Sequence, residues 1–321
     1  MDLSVIIVNY RGWNHLSACL DSLRDLNRRI SSEVIIVDNN SFDGKLNEFK
    51  SGYPGFKFIS NEVNGGFANG CNLGSRHANG DFLLFLNPDT VAKTEEIEKL
   101  FTRAKDHPEN YLSSCRQIDK RGRESKAYGL FQGFGTITGT GRSLYRLLFK
   151  NRINETPEQG NNFFRPDWVS GSVILISKEI FNIIGRFDED YWMYFEDMDL
   201  CRRARDRGGN IIYFTDISIQ HNHGGSSRVN LKTTSITKTE VLISNHQYLF
   251  KHYKGVRRFV LLSWLIIINL ISGLLSSFAA ILLFFKPKML SRLFIFLRLL
   301  IYYSGVIKRG NWISPRSVNF H

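Results

Sequence analysis

The chain has 321 residues, enough for one large or two modest domains, and its formal net charge is +12 at pH 7. The excess charge lies at the end of the chain, because residues 241–321 hold eleven Lys or Arg and no Asp or Glu, which leaves 31 basic and 30 acidic residues before them. A nearly neutral body argues against nucleic-acid binding, since the basic excess accompanies an apolar segment and not a soluble face.

The four cysteines show none of the paired spacings that are typical of metal or redox sites, and they do not favour a disulfide framework. They are Cys19, Cys71, Cys115 and Cys201. The first apolar run, SVIIV, is too short for a signal peptide and lacks a basic flank. We therefore expect a reducing compartment, with the body beginning and staying in the cytoplasm.

The first 90 residues alternate strand-like and helix-like patterns. Apolar runs at 3–8, 33–38, 56–60 and 81–86 predict buried strands. Two helices are predicted between them: one over 13–28, with Leu16, Cys19, Leu20 and Leu23 on one face, and one over 67–78. Repeated β-α-β order with short buried strands predicts an α/β fold, with a mostly parallel sheet flanked by helices. In such sheets ligands bind beyond the carboxyl ends of the strands.

Polar residues follow each of these strands at that edge. They are Asn9 and Arg11 after the first strand, Asp38 after the second, Asn64 and Gly66 in NEVNGGFANGCNLG after the third, and Asn87 and Asp89 in FLLFLNPDT after the fourth. The glycines would let the backbone approach a ligand and turn amides toward phosphate, but they match neither G-x-G-x-x-G nor a P-loop. An aspartate after a strand is as often a turn former or a helix cap.

The second half of the body carries further candidates. DWVSGSVILIS (167–177) predicts one strand that is entered through Trp168. A helix is predicted to begin near Glu196, with Asp197 and Asp199 in its first turn, where carboxylates favour the helix dipole whatever the function. Residues 211–225 predict a pair of strands ending in His221 and His223, which could equally be exposed loop residues.

The tail contains 27 consecutive uncharged residues, Phe259 to Phe285, of which 18 are Val, Leu, Ile or Phe. This exceeds the roughly 20 apolar residues that span a bilayer. A second apolar run carrying Arg298 follows, and basic residues flank both runs. The tail is predicted to associate with a membrane, either as a hairpin bent around Gly273, Ser276 and Ser277 or as helices lying in the interface, because a single pass would carry positive charges outside.

Taken together, these motifs resemble the family 2 glycosyltransferases with a GT-A fold, in particular the bacterial rhamnosyltransferase-like members that build lipid-linked surface polysaccharides. The resembling segments are SVIIVNYRG, VIIVDNNSFDG, NEVNGGFANGCNLG, FLLFLNPDT, DWVSGSVILI, FDEDYWMYFEDMDLCRRAR and the His221 region, and they span residues 1 to about 227. The resemblance implies a sugar-nucleotide donor, a divalent metal (Mn²⁺ or Mg²⁺) and inversion at the anomeric carbon.

The resemblance also implies roles for individual residues. Asp38 would pair with the nucleotide base, with Asn9 and Arg11 nearby, and Asn64, Gly66 and Asn87 would contribute to the donor site. Asp89 and His221 would bind the metal; here Asn87 replaces the first acid of the Asp-x-Asp motif found in many relatives, which leaves fewer charges on the ion. Asp197 would be the catalytic base. Glu196 and Asp199 would bind the acceptor or hold the helix start, and Trp168 would form a wall for a sugar or be a core residue.

The sequence thus predicts a GT-A domain over 1–230 and a helical, membrane-associating region over 231–321, on the cytoplasmic face of the inner membrane. The expected reaction moves rhamnose from dTDP-rhamnose to a lipid-linked saccharide, with no nucleic acid among the partners. Two alternatives stay open. The same fold could use a UDP-hexose or UDP-N-acetylhexosamine, or the protein could bind sugar nucleotides at the membrane without catalysis.

Overall fold

A computed structural model describes residues 1–148, 162–222, 230–282 and 287–320. The strands are β1 (Leu3–Asn9), β2 (Ser32–Asp38), β3 (Lys57–Ser60), β4 (Phe82–Leu86), β5 (Thr90–Val91), β6 (Asn110–Ile118), β7 (Glu124–Ser125), β8 (Tyr128–Gly129), β9 (Phe163–Phe164), β10 (Trp168–Val169), β11 (Val173–Ser177) and β12 (Asn210–His221). The helices are α1 (Trp13–Leu23), α2 (Lys45–Gly52), α3 (Gly66–Arg76), α4 (Thr94–Asp106), α5 (Gly139–Leu148), α6 (Lys178–Ile183), α7 (Glu196–Asp206), α8 (Leu231–His252), α9 (Gly255–Leu282) and α10 (Pro287–Arg309).

One mixed sheet organises the body, with the strand order β3-β2-β1-β4-β11-β6-β12-β5. Its first four strands are parallel, as predicted, whereas β11 runs antiparallel to both β4 and β6, and β6 is parallel to β12. The carboxyl ends of β1, β2, β3, β4, β6 and β12 therefore meet at one edge of the sheet, together with the amino end of β11. This edge is called the ligand edge below.

Helices cover both faces of the sheet, which explains why its strands read as continuous apolar runs. Along β1, Val5 and Ile7 pack on the side of α1 and α4, and Ile6 packs on the side of α3, α6 and α7. The predicted face of α1 is buried as expected. Close packing of α3 on β1 depends on small residues, because a Cβ added to Gly70 would fall 2.6 Å from the Val8 side chain.

Two strand predictions were wrong in detail. The segment 167–177 forms two short strands, β10 and β11, because the chain turns at Ser170–Ser172 and pairs first with β8 and then with β4. The segment from Ile211 to His221 belongs to one strand, β12, whose pairing with β6 shifts register between Phe214 and Ser218. That irregularity interrupts the alternation that suggested two strands. His223 lies outside the described residues.

Two C-terminal helices are long and apolar enough, by length and composition, to cross a membrane. The qualifying stretches are Gly255–Ala280, with a mean hydropathy of 2.3, and Met289–Arg309, with a mean hydropathy of 1.6. Helices α9 and α10 pack antiparallel, since Asn269 donates to the Tyr303 hydroxyl at 3.5 Å and a Cβ on Gly273 would meet the Phe296 ring. The bend expected around Gly273 is absent, because α9 continues through this residue to Leu282.

Helix α8 joins these two helices to the body. The Ser244 hydroxyl donates to the Met193 carbonyl at 2.9 Å, and His252 Nε2 lies 2.8 Å from the Asp199 carboxylate. Apolar side chains of α7, α8 and α9 share one core cluster, in which Met198, Tyr248 and Leu261 are buried. The predicted boundary at residue 230 is therefore crossed by buried contacts. The division into two domains stays a prediction.

Candidate active site

Asp89 and His221 are brought together at the ligand edge, although 132 positions separate them in the sequence. Strand β12 pairs antiparallel with β5, which sets His221 opposite Thr90. Asp89 Oδ1 consequently lies 3.1 Å from His221 Nε2, and Asn87 Nδ2 lies 3.5 Å from the same nitrogen. The histidine is buried and the Asp89 side chain is 13% exposed, so a ligand can reach the pair from one side.

A glutamine fixes the orientation of this histidine. Gln117 Oε1, from β6, lies 2.7 Å from His221 Nδ1 and also accepts from the Ser172 hydroxyl at 2.8 Å. In the neutral ring Nδ1 therefore carries the proton, and the lone pair of Nε2 faces Asp89. Two acceptors 3.1 Å apart can both bind one cation. A buried partner on the far ring nitrogen is also the usual arrangement around a metal-binding histidine.

These residues fit a divalent cation that is held jointly with a diphosphate. Mn²⁺ and Mg²⁺ are commonly bound through one or two protein ligands plus substrate phosphates and water. Within the described parts of the chain, no group of three or more His, Cys, Asp or Glu side chains could hold a metal alone. Asp89 and His221 would thus supply two ligands, and the remaining positions would fall to the donor.

The second acidic site lies at the start of α7. Tyr194 and Phe195 adopt positive φ angles of 69° and 68°, which turn the chain sharply into the helix. Asp197 Oδ2 accepts from the Gly171 amide at 2.9 Å, and Oδ1 accepts from the Met198 amide at 2.8 Å. Burial raises the pKa of the Asp197 carboxyl, and these amide hydrogen bonds oppose the shift. Asp197 is therefore a stronger base than an exposed aspartate.

Glu196 is the neighbour that stays protonated more readily. Its side chain is buried, and Oε2 has no hydrogen-bond partner within the described residues. Burial, followed by the charge of Asp197, raises the pKa of Glu196 well above its ordinary value. The two adjacent acids therefore differ in character, since both oxygens of Asp197 are held by amide donors, whereas Glu196 is buried with Oε2 unpartnered among the described residues. Such a difference separates a base from a neutral hydrogen-bond donor.

The third acid of this turn of helix, Asp199, has a structural role. It is fully buried and pairs with Arg203 at 2.7 Å, Lys251 at 2.8 Å and His252 at 2.8 Å. Burial favours the neutral acid, but the hydrogen bond from His252 and the charges of Arg203 and Lys251 prevail and lower the pKa of Asp199. Asp199 thereby attaches α8 to α7, so its role is structural and not catalytic.

Asp38 is the last residue of β2, at the ligand edge, and pairs with Asn9 at the end of β1. Its carboxylate accepts from the hydroxyl and the amide of Ser41. Arg11 has a φ of 54° and donates through its amide to the Ser41 hydroxyl at 2.9 Å and through Nε to the Ser41 carbonyl at 3.0 Å. Asn9 is buried, accepts from the Gly12 amide at 3.1 Å, and leaves Nδ2 without a partner within the described residues. The three predicted residues thus form one corner.

Asn64 and Gly66 shape the adjoining loop, and here the structure gives the glycine a different reason from the predicted one. Asn64 Oδ1 accepts from Asn39 Nδ2 at 3.0 Å and from the Gly66 amide at 3.3 Å. Gly66 has a φ of 87°, and a Cβ there would lie 1.8 Å from the Trp192 carbonyl oxygen. The residue must be glycine because the turn preceding α7 packs against it, whether or not a phosphate also binds nearby.

Trp168 is half-buried on β10, packs against two of the hydrophobic core clusters, and forms a hydrogen bond with the segment that precedes α5. Its indole Nε1 donates to the Leu130 carbonyl at 3.0 Å, and a Cβ on Gly129 would lie 2.9 Å from the same nitrogen. Trp168 therefore fixes this segment in place. Its predicted role as a sugar wall stays a prediction.

A chain of contacts connects Asp89 with Asp197. Asp89 reaches Gln117 through His221, and Gln117 is bonded to Ser172, whose neighbour Gly171 holds Asp197. On the other side, the Phe67 amide that follows Gly66 donates to the Trp192 carbonyl at 3.1 Å. Asp38 ends β2, Asp89 follows the parallel β4, and Gly171, which holds Asp197, precedes the antiparallel β11, so the three acids lie along one edge of the sheet.

Sequence reasoning missed three residues that position the others: Gln117, Gly171 and Trp192. The Ser-Gly-Ser turn at 170–172 carried a usable signal, because a glycine between two strands often marks a close approach. Gln117 carried none, since its neighbours read as an ordinary strand. A separate cavity of about 610 Å³, lined by residues that include Asn79, Lys105 and Lys178, lies at the opposite end of β4 and contains none of the site residues.

Comparison with known proteins identifies the family of this chain. The family model described as "Glycosyl transferase family 2" matches residues 4–182, more than half of the chain. The chain is 30% identical over 231 residues to the low-salt glycan biosynthesis hexosyltransferase Agl10 of Haloferax volcanii, an alignment that covers 69% of this chain and 67% of that protein.

It is also 26% identical over 252 residues to the N-acetylglucosaminyl-diphospho-decaprenol L-rhamnosyltransferase of Mycobacterium tuberculosis, which covers 70% of this chain and 77% of that protein. Among solved structures, GalNAc-T7 with UDP, GalNAc and Mn²⁺ superposes with a TM-score of 0.54 at 18% identity, over 74% of this chain and about half (48%) of that one. This likeness supports the GT-A fold, and the matched model shows that the chain belongs to glycosyltransferase family 2.

Proposed function

We propose that the protein is an inverting, metal-dependent glycosyltransferase that moves a sugar from a nucleoside diphosphate to a lipid-linked acceptor. The observation that carries this proposal is that Asp197 on α7 and the Asp89–His221 pair lie at the same sheet edge. The two are linked indirectly, through Gln117 and Ser172. One centre suits a diphosphate with its cation, and the other suits a hydroxyl that must lose a proton.

The donor would lie along the ends of β1, β2 and β4. Asp38, at the end of β2, would accept from the nucleobase, with Asn9 and Arg11 beside it. Asn87 and Asp89 follow β4 and would face the diphosphate. A divalent cation held by Asp89 and His221 would neutralise the charge that develops on the leaving diphosphate. The orphaned Asn9 Nδ2 is a buried donor that a bound ligand could satisfy.

The acceptor would lie beside the start of α7. Asp197 would take the proton from the attacking hydroxyl, on the face of the sugar opposite the leaving group, which inverts the anomeric carbon. The Gly171 and Met198 amides hold both oxygens of Asp197, so the base is oriented before the substrate arrives. Glu196, kept neutral by burial, would donate a hydrogen bond to an acceptor oxygen.

Rhamnose from dTDP-rhamnose is the proposed donor, because one similar protein is named as an L-rhamnosyltransferase. A UDP-linked hexose is the second candidate, because another is named as a hexosyltransferase. A lipid-linked acceptor is supported by the exposed apolar side chains along α9 and α10, such as Phe259, Trp264, Ile271 and Ile301. We place the protein on the cytoplasmic face of the membrane, since the basic residues that flank both helices favour that side.

A donor panel tests the proposal. The full chain, purified in lipid nanodiscs, would be incubated with Mn²⁺ and dTDP-rhamnose, UDP-glucose or UDP-N-acetylglucosamine, with and without a polyprenyl-diphosphate saccharide. Release of dTDP that depends on both metal and acceptor supports the whole proposal. Turnover of a UDP-hexose alone refutes the rhamnosyl part. Donor binding without turnover of any sugar nucleotide would favour the non-catalytic alternative.

A further inference from the structure

The segment after α10 returns to the body and reaches the ligand edge. It is called the tail strap here and comprises residues 311–320. The Ser317 hydroxyl donates to the Glu189 carbonyl at 2.8 Å, and Asn319 Nδ2 donates to the Asp190 carboxylate at 2.8 Å. A Cβ placed on Gly65 would fall 2.6 Å from the Val318 side chain. The strap thus lies over both the Gly66 loop and the turn that leads into α7.

The other end of the strap is fixed to the helical region. Trp312 stacks on His246 of α8, with ring centroids 5.3 Å apart and planes 1° from parallel, and its carbonyl accepts from the Tyr302 hydroxyl of α10 at 2.7 Å. The Ser314 hydroxyl, fully buried, donates to Glu240 of α8 at 2.7 Å. The strap therefore bridges α8 and α10 on one side and the ligand edge on the other.

Trp192 is where the strap acts on the site. The Arg316 guanidinium lies 4.9 Å from the centre of the Trp192 ring. Trp192 in turn donates from its indole to the Asn64 carbonyl at 3.1 Å and accepts from the Phe67 amide at 3.1 Å. Trp192 precedes Glu196 and Asp197 by four and five residues. A shift of Trp192 would therefore move both the Gly66 loop and the turn that leads into α7.

We propose that the tail strap positions the turn from Glu189 to Trp192, so that the membrane-associating helices set the geometry of the donor loop and of Asp197. Ser317, Asn319 and Arg316 are positioning residues in this scheme and touch neither substrate. The inference rests on the proposed glycosyl transfer for its kinetic readout, but its structural readout does not.

The test is the double variant Ser317→Ala with Asn319→Ala in the full chain, in nanodiscs. These two side chains are chosen because both are uncharged and their loss breaks no ion pair, unlike the loss of Arg316 beside Glu240, 3.6 Å away. The donor KM should rise roughly tenfold, because the variant loses the two hydrogen bonds that join the strap to the turn, together with the bond from the Asn319 amide to the Ser317 hydroxyl inside the strap. The recovery of folded protein in nanodiscs should match that of the wild type, and the melting temperature should fall by no more than a few degrees, because the same hydrogen bonds also contribute to folding stability. Ser304→Ala, which removes a serine hydroxyl on α10 bonded only locally to the Ile301 carbonyl, is the matched control and should behave like the wild type.

Two further variants sharpen the test. Ser317→Thr as a single substitution keeps both the hydroxyl and the wild-type Asn319, so its donor KM should equal that of the wild type. Asn319→Asp sets a second carboxylate against Asp190, so it should raise the KM more than Asn319→Ala does. An unchanged KM in the double variant, or a loss of activity that follows the loss of folded protein, overturns the proposal.

Hydrogen exchange of the ligand-free protein separates this inference from the proposed function. The double variant should exchange the amides of 64–67 and 189–195 faster than the wild type, while the β1 amides stay protected. If the wild type turns over no sugar nucleotide but the exchange pattern appears, the proposed function fails and the strap stands. Unchanged exchange in these two segments overturns the strap, whatever the enzyme does.

Discussion

Replacing Asp197 by Asn removes the base and keeps the size of the side chain, so its effect on turnover can be predicted from the contacts. The carboxylate accepts from two backbone amides, Gly171 and Met198. An asparagine can accept only one of these bonds, and its amide group must face the other donor. The variant should therefore lose about 1–3 kcal/mol of stability and, separately, roughly 10²- to 10⁴-fold in kcat through the missing base.

The assay is acceptor-dependent release of nucleoside diphosphate, with donor affinity measured by titration calorimetry on the same sample. Donor affinity should stay within a few-fold of the wild type, because Asp197 is placed on the acceptor side. Asp206→Asn is the matched control: it lies at the other end of α7 in an exposed pair with Arg202, and such pairs contribute about 1 kcal/mol or less. Turnover above about a tenth of the wild-type rate in Asp197→Asn, or an equal loss in Asp206→Asn, would refute the reasoning.

Three further predictions use other parts of the site. Glu196→Gln should raise the melting temperature near neutral pH and not in acid. Burial raises the folded-state pKa of Glu196, so the protonated side chain contributes stability below the unfolded-state pKa, and that stability is lost as the pH rises through the folded-state pKa. A neutral Gln avoids this loss. Melting curves from pH 4 to 8, with the exposed Glu179→Gln as control, would contradict this if both variants followed the wild type. Gly66→Ala and Gly44→Ala share a positive φ, which carries about 1–2 kcal/mol of strain, but only Gly66 has a carbonyl 1.8 Å from the new Cβ. Urea unfolding should show a further loss of about 1–3 kcal/mol for Gly66→Ala alone, and equal losses would mean that Trp192 yields easily. Gln117→Met removes the acceptor for His221 Nδ1 and should raise the Mn²⁺ concentration for half-maximal activity roughly 10- to 100-fold, whereas Gln220→Met on the same sheet should not; identical metal titrations would contradict the role of Gln117.

Local patterns in the sequence determined most of the elements that carry the site. Apolar runs located β1, β2 and β4, because strands buried on both faces must be apolar throughout. The rule that ligands bind at strand carboxyl ends then placed Asp38 and Asp89 at one edge. Helix periodicity located α1, and the acidic cluster before Arg202 located the start of α7. These features depend on residues close together in the chain, which is why they could be predicted without coordinates.

Strand pairing between distant segments could not be predicted from such local patterns. The antiparallel β11 and the single irregular β12 result from partners about 50 or more residues away. The segment 167–177 therefore forms two strands where one was predicted, and 211–221 forms one strand where a pair was predicted. The same applies to side chains whose role is set by what they meet. Asp199 and Asp197 look alike in the sequence, but Arg203, Lys251 and His252 around Asp199 make it an anchor for α8, whereas two backbone amides orient Asp197 at the ligand edge.

The sequence by itself determined the family pattern, the ligand edge and the apolar, basic tail, because each follows from composition and local spacing. Only the tertiary structure decided that Gln117 orients His221, that Gly66 makes room for Trp192, and that the chain end returns from α10 to the turn before α7. Each of these depends on atoms brought within a few ångströms across long stretches of chain. Such contacts leave no periodicity in the sequence, since a single glutamine, glycine or serine is sufficient to make them.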